Sequence, residues 1–436
     1  MRTIKKYTAF FAVLILAHAF SACEKDFTNP GAATETQVLN SADGLIGLTV
    51  GIQKRWSVGR QSPLYATVAG SGFSTFELRL INPGNLAENE VAIGKGTLLP
   101  SNGITANIWE ECLLVRNESD KVLANASKVP DAGVRSGLIA MASIFKALAN
   151  GTLAQFYEQI PLETGDNARF SPRTEALQDA VATLEAAKAV VTATPVSAAF
   201  KAKTPASIDA LNTINALLAR YNNMLGNHDA AISAAGAVDL SSKSTFVFDA
   251  VNTNPIAFVS ILTNNVYQPV DLTLGLPPAL QRVNDLRLEF YFEDLMPMNN
   301  DFRAAGFFNS ATAAIPVYVP GEMLLIRAEA YARKDMLNEA KTELDKVLHK
   351  EDSDDVFGIG ADDTGYSGPL TKEAILEAIY TNRCYEMMMS GMRLEDSRRF
   401  GRPGPNEPNE ERNRNFYPYP NSERNNNVNT PPDPAI

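Results

Sequence analysis

Apolar residues recur at helical spacing through most of the chain, and the pattern is clearest near its end. In residues 320–349, Leu324, Ala328, Tyr331 and Ala332 fall at i, i+4, i+7 and i+8, on one face of a helix. After Lys334-Asp335-Met336, the residues Ala340, Leu344, Val347 and Leu348 repeat the template. So short a turn predicts two antiparallel helices with facing apolar stripes. Ala328, Ala332 and Ala340 let the backbones approach closely, as in a tetratricopeptide-like hairpin.

The same periodicity runs upstream. Ser41-Ala42-Asp43 is a start signal for a helix through Leu45, Leu48 and Ile52 to about Trp56. Helical patterning resumes at Asn107, and a helix over 137–148 is expected to break at Asn150-Gly151. Ser171-Pro172-Arg173-Thr174 is expected to cap the next, over 176–191, where Leu177, Val181, Leu184 and Ala187 form a stripe. Residues 207–238 read as a second hairpin, in which Ala219, Tyr221, Leu225-Gly226-Asn227 and Ala230-Ala231 approximately echo Ala328, Tyr331, Asp335 and Ala340. One hairpin cannot bury its apolar face alone. The expected fold is all-α, with tetratricopeptide-like helical hairpins in a partial superhelix.

Two stretches lose the pattern. Residues 58–105 are rich in Gly, Ser, Pro and Asn, and 245–319 set Phe246-Val247-Phe248 and Tyr267 around a break at Leu274-Gly275-Leu276-Pro277-Pro278. Long loop-rich insertions in a compact domain are usually functional or disordered, and the scattered aromatics argue against disorder. Glycan binding needs flat aromatic faces against sugar rings, with carboxylates, amides and Arg for the hydroxyls. The first stretch offers Tyr65, Phe73, Phe76, Glu77, Arg79, Asn82 and Asn85 as ligand-binding candidates, and the second adds Tyr267, Tyr291 and Phe292. Phe73 and Phe76, taken singly, also read as ordinary core. Two tryptophans in the chain are few for a glycan binder, so a peptide or another small nutrient stays open as the ligand.

A chain of 436 residues, 45 % hydrophobic and 20 % charged, can bury a large core, here expected as one domain over 41–436 with a polar, Pro-rich exception at 406–429. A formal charge of −11 with no basic stripe speaks against general nucleic-acid binding. Arg2, Lys5 and Lys6 precede an apolar run at 9–20 that is too short to span a bilayer, which marks 1–22 as an export signal. Ala19-Phe20-Ser21-Ala22-Cys23 resembles a bacterial lipobox with Phe20 for the usual Leu, so lipidation is expected at Cys23 and an extended tether over 23–40. Several acyl chains would anchor the protein firmly, whereas one binds only marginally. A plain signal peptide with an incidental Cys is the alternative. No later run approaches a transmembrane helix, and Cys112 and Cys384, in apolar helical patterns, are expected as buried thiols with their pairing left open.

Catalytic chemistry finds little footing. His228 and His349 lack a second ligand at metal spacing, and there is no nucleophile elbow, phosphate loop or dinucleotide fingerprint. Gly358-Ile359-Gly360-Ala361-Asp362-Asp363 lacks the alternating ligands of a calcium loop, and no carboxylate pair stands out for hydrolysis. No enzyme activity, cofactor or metal is expected.

Ile379, Arg383, Glu386, Gly391, Arg393, Asp396, Arg398, Arg399 and Phe400 follow in an order that resembles the C-terminal signature of the SusD/RagB family of outer-membrane nutrient-binding lipoproteins. Asn382 stands for the signature's first acid, Ser390 for the acid before its glycine, and Phe400 for its tryptophan. Glu386 with Arg383, and Glu395 with Arg399, sit at helical-neighbour spacing, which predicts a solvated face of mixed charge with a structural role. Trp109, the run before Ile160-Pro161, Asp285-Leu286-Arg287 and Tyr417-Pro418-Tyr419-Pro420 extend the resemblance over nearly the whole chain. It implies that Trp109 is core and that an acid at about Glu77 lies among the ligand groups. It also implies a surface-exposed, lipid-anchored protein that captures a nutrient, an oligosaccharide foremost, and delivers it to a SusC-like TonB-dependent transporter. Glu24-Lys25-Asp26 resembles the acidic export tag of surface lipoproteins in the Bacteroidetes lineage. The competing reading is a helical-repeat lipoprotein scaffold for envelope proteins with no small-molecule ligand, favoured if the loop aromatics are buried.

Overall fold

A computed structural model describes residues 33–205, 207–294 and 302–436. The expected signal peptide, the lipidation site Cys23 and the tether as far as residue 32 lie outside the described residues. The rest of the tether carries a short helix, Glu35–Leu39, opened by a capping box between Thr34 and Gln37.

Helices dominate, and their order follows the chain. Ala42–Ser57 begins where Ser41 Oγ accepts from the Gly44 N–H at 3.0 Å, and it buries Leu45, Ile52 and Trp56. From Gly103–Asn125 the chain passes through Ala132–Phe156, Arg173–Ala193, Ala210–Leu225, His228–Gly236, Pro320–Arg333, Leu337–His349 and Lys372–Glu386, each packed on the one before. Nearest-neighbour packing of this kind is a stack of helical hairpins. The 320–349 hairpin closes Leu324, Ala328, Ala340, Leu344 and Val347 into a separate apolar cluster with Ile375 and Ile379 of the third helix.

Several elements depart from the expected pattern. Ala132–Phe156 continues straight through Asn150-Gly151, because Gly151 is a crossing point: a Cβ there would collide with the Tyr221 ring. By length and composition alone this helix could cross a membrane, contrary to expectation, but its apolar window is 89 % buried inside the stack. Arg173–Ala193 starts at Pro172 with no side-chain cap. Residues 58–105, expected as loop, fold in part as helix, in Pro63–Ser74, Leu86–Ile93 and the start of Gly103–Asn125. Pro63 opens the first of these and Ser62 Oγ accepts from the Tyr65 N–H at 3.3 Å. Every residue of Pro63–Ser74 is buried. Its small residues, easily read as loop, let it lie in the middle of the core, with Gly70 against Phe156 and Tyr417.

The 245–319 stretch stays irregular and is pinned by short antiparallel pairs. Leu78–Leu80 pairs with Tyr267–Pro269, setting Arg79 opposite Gln268, and Thr245–Phe246 pairs with Ile315–Pro316. The polar tail folds back onto the body. Tyr417 Oη donates to the Gly70 carbonyl at 2.9 Å, and Trp109 Nε1 donates to Glu423 Oε2 at 3.0 Å. Trp109 is core, meeting Tyr157, Phe170 and Tyr419 at ring centroids 4.6, 5.8 and 5.6 Å apart. Cys112 and Cys384 are buried free thiols.

The signature helices are not solvated. Arg383 meets Asp396 at 2.8 and 3.0 Å, and Arg399 meets Glu329 twice at 2.8 Å and Asp396 at 2.8 Å. Glu386 takes Arg287 at 3.2 Å together with Lys350, and Glu395 takes Arg173 and Arg398 at 2.6 Å each. The expected neighbour pairs Glu386–Arg383 and Glu395–Arg399 give way to partners across the fold, because Lys372–Glu386 and Arg393–Arg399 face the interior. Buried charges persist only when paired and hydrogen-bonded.

Candidate functional site

The structure sinks most of the candidate ligand residues into the core. Tyr65, Phe73, Tyr267, Tyr291 and Phe292 are at most 3 % exposed. Tyr65 and Phe73 both meet Tyr267, with centroids 6.0 and 5.6 Å apart. Tyr65 Oη donates to Glu88 Oε1 at 2.8 Å, and Tyr291 Oη donates to the Glu386 carbonyl at 2.7 Å. Phe292 packs on Phe302 at 5.7 Å. Glu77 is buried as well, and its Oε1 accepts the Met389 N–H at 3.1 Å. Burial pushes this carboxyl up, against the pull of Arg393 and of the Met389 bond. Contrary to expectation, these six offer no ring face or carboxylate to a ligand in this conformation. Aromatics at helical spacing in Pro63–Ser74 serve the core, and the intervening Gly and Ser hid that spacing.

Phe76 is half-buried and left-handed, with φ 60°. It ends the Pro63–Ser74 helix, where the Glu77 N–H donates to the Gly72 carbonyl at 2.8 Å. Arg79 is half-buried in its strand. Asn82 and Asn85 alone among the candidates reach one common rim. Asn82 Nδ2 donates to Asn265 Oδ1 at 3.0 Å, and Asn85 Nδ2 donates to the Asn265 carbonyl at 2.9 Å. Arg60 Nη2 approaches Asn85 Oδ1 at 3.4 Å and pairs with Glu88 at 2.5 Å, its guanidinium 5.7 Å over the Tyr65 ring.

The turn Phe258–Leu262 leads directly into Asn265, whose N–H donates to the Val259 carbonyl at 3.2 Å. Phe258 and Leu262 on that turn are 43 % and 51 % exposed. Three amides and one guanidinium above an aromatic floor supply donors and acceptors suited to neutral hydroxyl-bearing molecules. Arg60, Asn265 and Phe258 were not among the sequence candidates. Asn264-Asn265 before the Tyr267 strand is the only sequence signal that points to them. Among the described residues, no group of His, Cys, Asp and Glu is placed to hold a metal ion.

Residues 308–433 match the model of the SusD family. A SusD homolog from Bacteroides thetaiotaomicron superposes with a TM-score of 0.71 at 11 % identity, covering 93 % of this chain and 99 % of its own. A SusD superfamily protein from Bacteroides fragilis gives 0.67 at 17 % identity over 93 % and 99 %. A SusD-like carbohydrate binding protein from Bacteroides fragilis gives 0.65 at 14 % identity over 90 % and 99 %. A search of curated proteins finds no match. The chain therefore shares the fold of these SusD-like proteins, and over residues 308–433 it is similar in sequence to the SusD family.

Proposed function

We propose that this protein is a surface-exposed outer-membrane lipoprotein, anchored through Cys23, that captures a nutrient and passes it to a SusC-like TonB-dependent transporter. The nutrient is foremost an oligosaccharide, and the mechanism is capture and hand-over without bond chemistry. The rim of Asn82, Asn85, Asn265 and Arg60 carries this reading, because its donors and acceptors match sugar hydroxyls without demanding a charged ligand. The match of residues 308–433 to the SusD family model, and a structural neighbour described as carbohydrate binding, support it. The test is a glycan array followed by calorimetry on the chain beginning after Cys23. Saturable binding is expected to weaken about tenfold or more in Asn82→Ala/Asn85→Ala, from several lost hydrogen bonds, with the fold intact by circular dichroism.

Burial of Tyr65, Phe73 and Tyr267 favours the second reading, a protein-only scaffold in the envelope. A folded chain that binds no glycan or peptide, yet co-purifies with an envelope protein from native membranes, would replace the first reading by the second.

A further inference from the structure

Beneath the turn at Met387–Met392 lies an interior cavity, far in character from the polar rim. It has about 80 Å³ open to the centre of a water-sized sphere. Its wall is largely aromatic and aliphatic, with Tyr221, Phe308 and Met388 among the lining side chains. Four lining residues carry buried polar atoms with no hydrogen-bond partner among the described residues: Trp56 Nε1, Thr67 Oγ1, Gln155 Oε1 and Tyr318 Oη. These residues are 3 %, 7 %, 4 % and 2 % exposed, so bulk water does not serve them. Buried groups of this kind are normally satisfied.

We propose that this cavity is a second binding site, for a small neutral molecule with an apolar body and one hydroxyl or amide group. Size and chemistry together select this class. One water centre needs roughly 10–15 Å³, so the space would admit several waters, each wanting two to four polar partners. Four polar atoms cannot support so many, but they can hold one polar group while an apolar body fills the rest. Trp56 Nε1 can only donate, Gln155 Oε1 can only accept, and the hydroxyls of Thr67 and Tyr318 can do either, which matches a hydroxyl or an amide. A charged ligand finds no free counter-ion: in the wall, Arg220 and Glu322 are paired with each other at 2.6 and 2.7 Å, and Glu386 is held by Arg287 and Lys350.

Entry is built into the Met turn. Ser390 is the exposed residue of the wall, next to Met389, which holds a left-handed φ of 54°. Unbranched Met side chains re-pack readily around an incoming body. Glu77, which accepts the Met389 N–H, braces this turn from behind.

The experiment uses the chain beginning after Cys23, labelled with 5-fluorotryptophan and methyl-labelled Met. The probe is benzyl alcohol, with toluene and benzoate as controls. Benzyl alcohol is expected to shift the Trp56 fluorine and Met388 methyl signals saturably, leave the Trp109 signal in place, and bind about threefold to tenfold more tightly than toluene. Thr67→Val and Gln155→Met should erase that preference while toluene binding persists, which also shows that the variants fold. Silence of the Trp56 signal up to the solubility of benzyl alcohol overturns the proposal. Equal binding of alcohol and toluene, or preferred binding of benzoate, overturns it as well.

Discussion

Glu329 and Glu77 are both buried, at 0 % and 2 % exposure, yet their carboxyls shift in opposite directions. Glu329 sits in the C-terminal block and accepts from Arg399 twice at 2.8 Å, from Arg333 at 2.8 Å and from Asn223 at 2.9 Å. Burial alone would raise its pKa, but the guanidinium groups of Arg399, Arg333 and Arg383 hold it well below the usual range. Glu77 sits under the aromatic floor with one backbone donor and Arg393 nearby, and burial wins. Depth does not decide ionisation. The number and charge of the donors decide it: three guanidinium groups act on Glu329 and one on Glu77, which lies in the region packed mainly by rings.

The sharpest way to break this contrast is Arg399→Met, which removes two bonds to Glu329 and one to Asp396 while keeping much of the volume. A stability loss of about 3–5 kcal/mol by urea denaturation is expected, since it leaves buried carboxylates short of partners. A loss under about 1 kcal/mol would mean that Arg333 and Arg383 suffice. Acid tests the same site through linkage. The depressed pKa of Glu329 contributes stability present above its unfolded value, about 4.3, and lost as pH falls through the folded one. The advantage of the natural chain over Glu329→Gln should therefore shrink steadily as pH falls from about 5 to about 3, read by Tm. A constant difference would sink the assignment.

Gly151→Ala probes the ring-packed side at intermediate strength. Ala would gain up to about 1 kcal/mol of helix propensity, but its methyl must displace the Tyr221 ring, an overpacking of about 1–3 kcal/mol. Net destabilisation, measured by chemical denaturation, marks a tight crossing between Ala132–Phe156 and Ala210–Leu225. Net stabilisation would show that the crossing yields.

The two regions were also unequally legible in the sequence. The 320–349 hairpin could be read residue by residue, because Leu324, Ala328, Ala340 and Leu344 form a stripe that local periodicity reveals and the cluster uses. The Pro63–Ser74 helix could not. It is buried on all sides, so it has no polar face to set a period, and its Gly and Ser residues mimic a loop. Read as loop aromatics, Tyr65 and Phe73 look available to a ligand, whereas the helix buries both. The charges of the signature were read at neighbour spacing, but their partners, such as Glu329 for Arg399 and Arg287 for Glu386, lie 70 and 99 residues away in the chain. Asn82 and Asn85 stay near the surface because they lie in a turn. Arg60 and Asn265 join them only through tertiary packing.

The smallest expected effect is the most discriminating. Glu77→Gln keeps an oxygen for the Met389 N–H and removes only the charge. Because the folded pKa of Glu77 is raised, its contribution is complete below the unfolded value of about 4.3 and is lost as pH rises through the folded one. The Tm of Glu77→Gln relative to the natural chain should therefore climb with pH above about 4.3, by no more than the equivalent of about 1.4 kcal/mol per pH unit, and then level off. Glu329→Gln must behave otherwise, falling behind the natural chain as pH rises from about 3 to about 5 and holding level above that. If Glu77→Gln follows that same profile, Arg393 rather than burial governs Glu77. The aromatic floor would then be held by an ion pair, as the C-terminal block is.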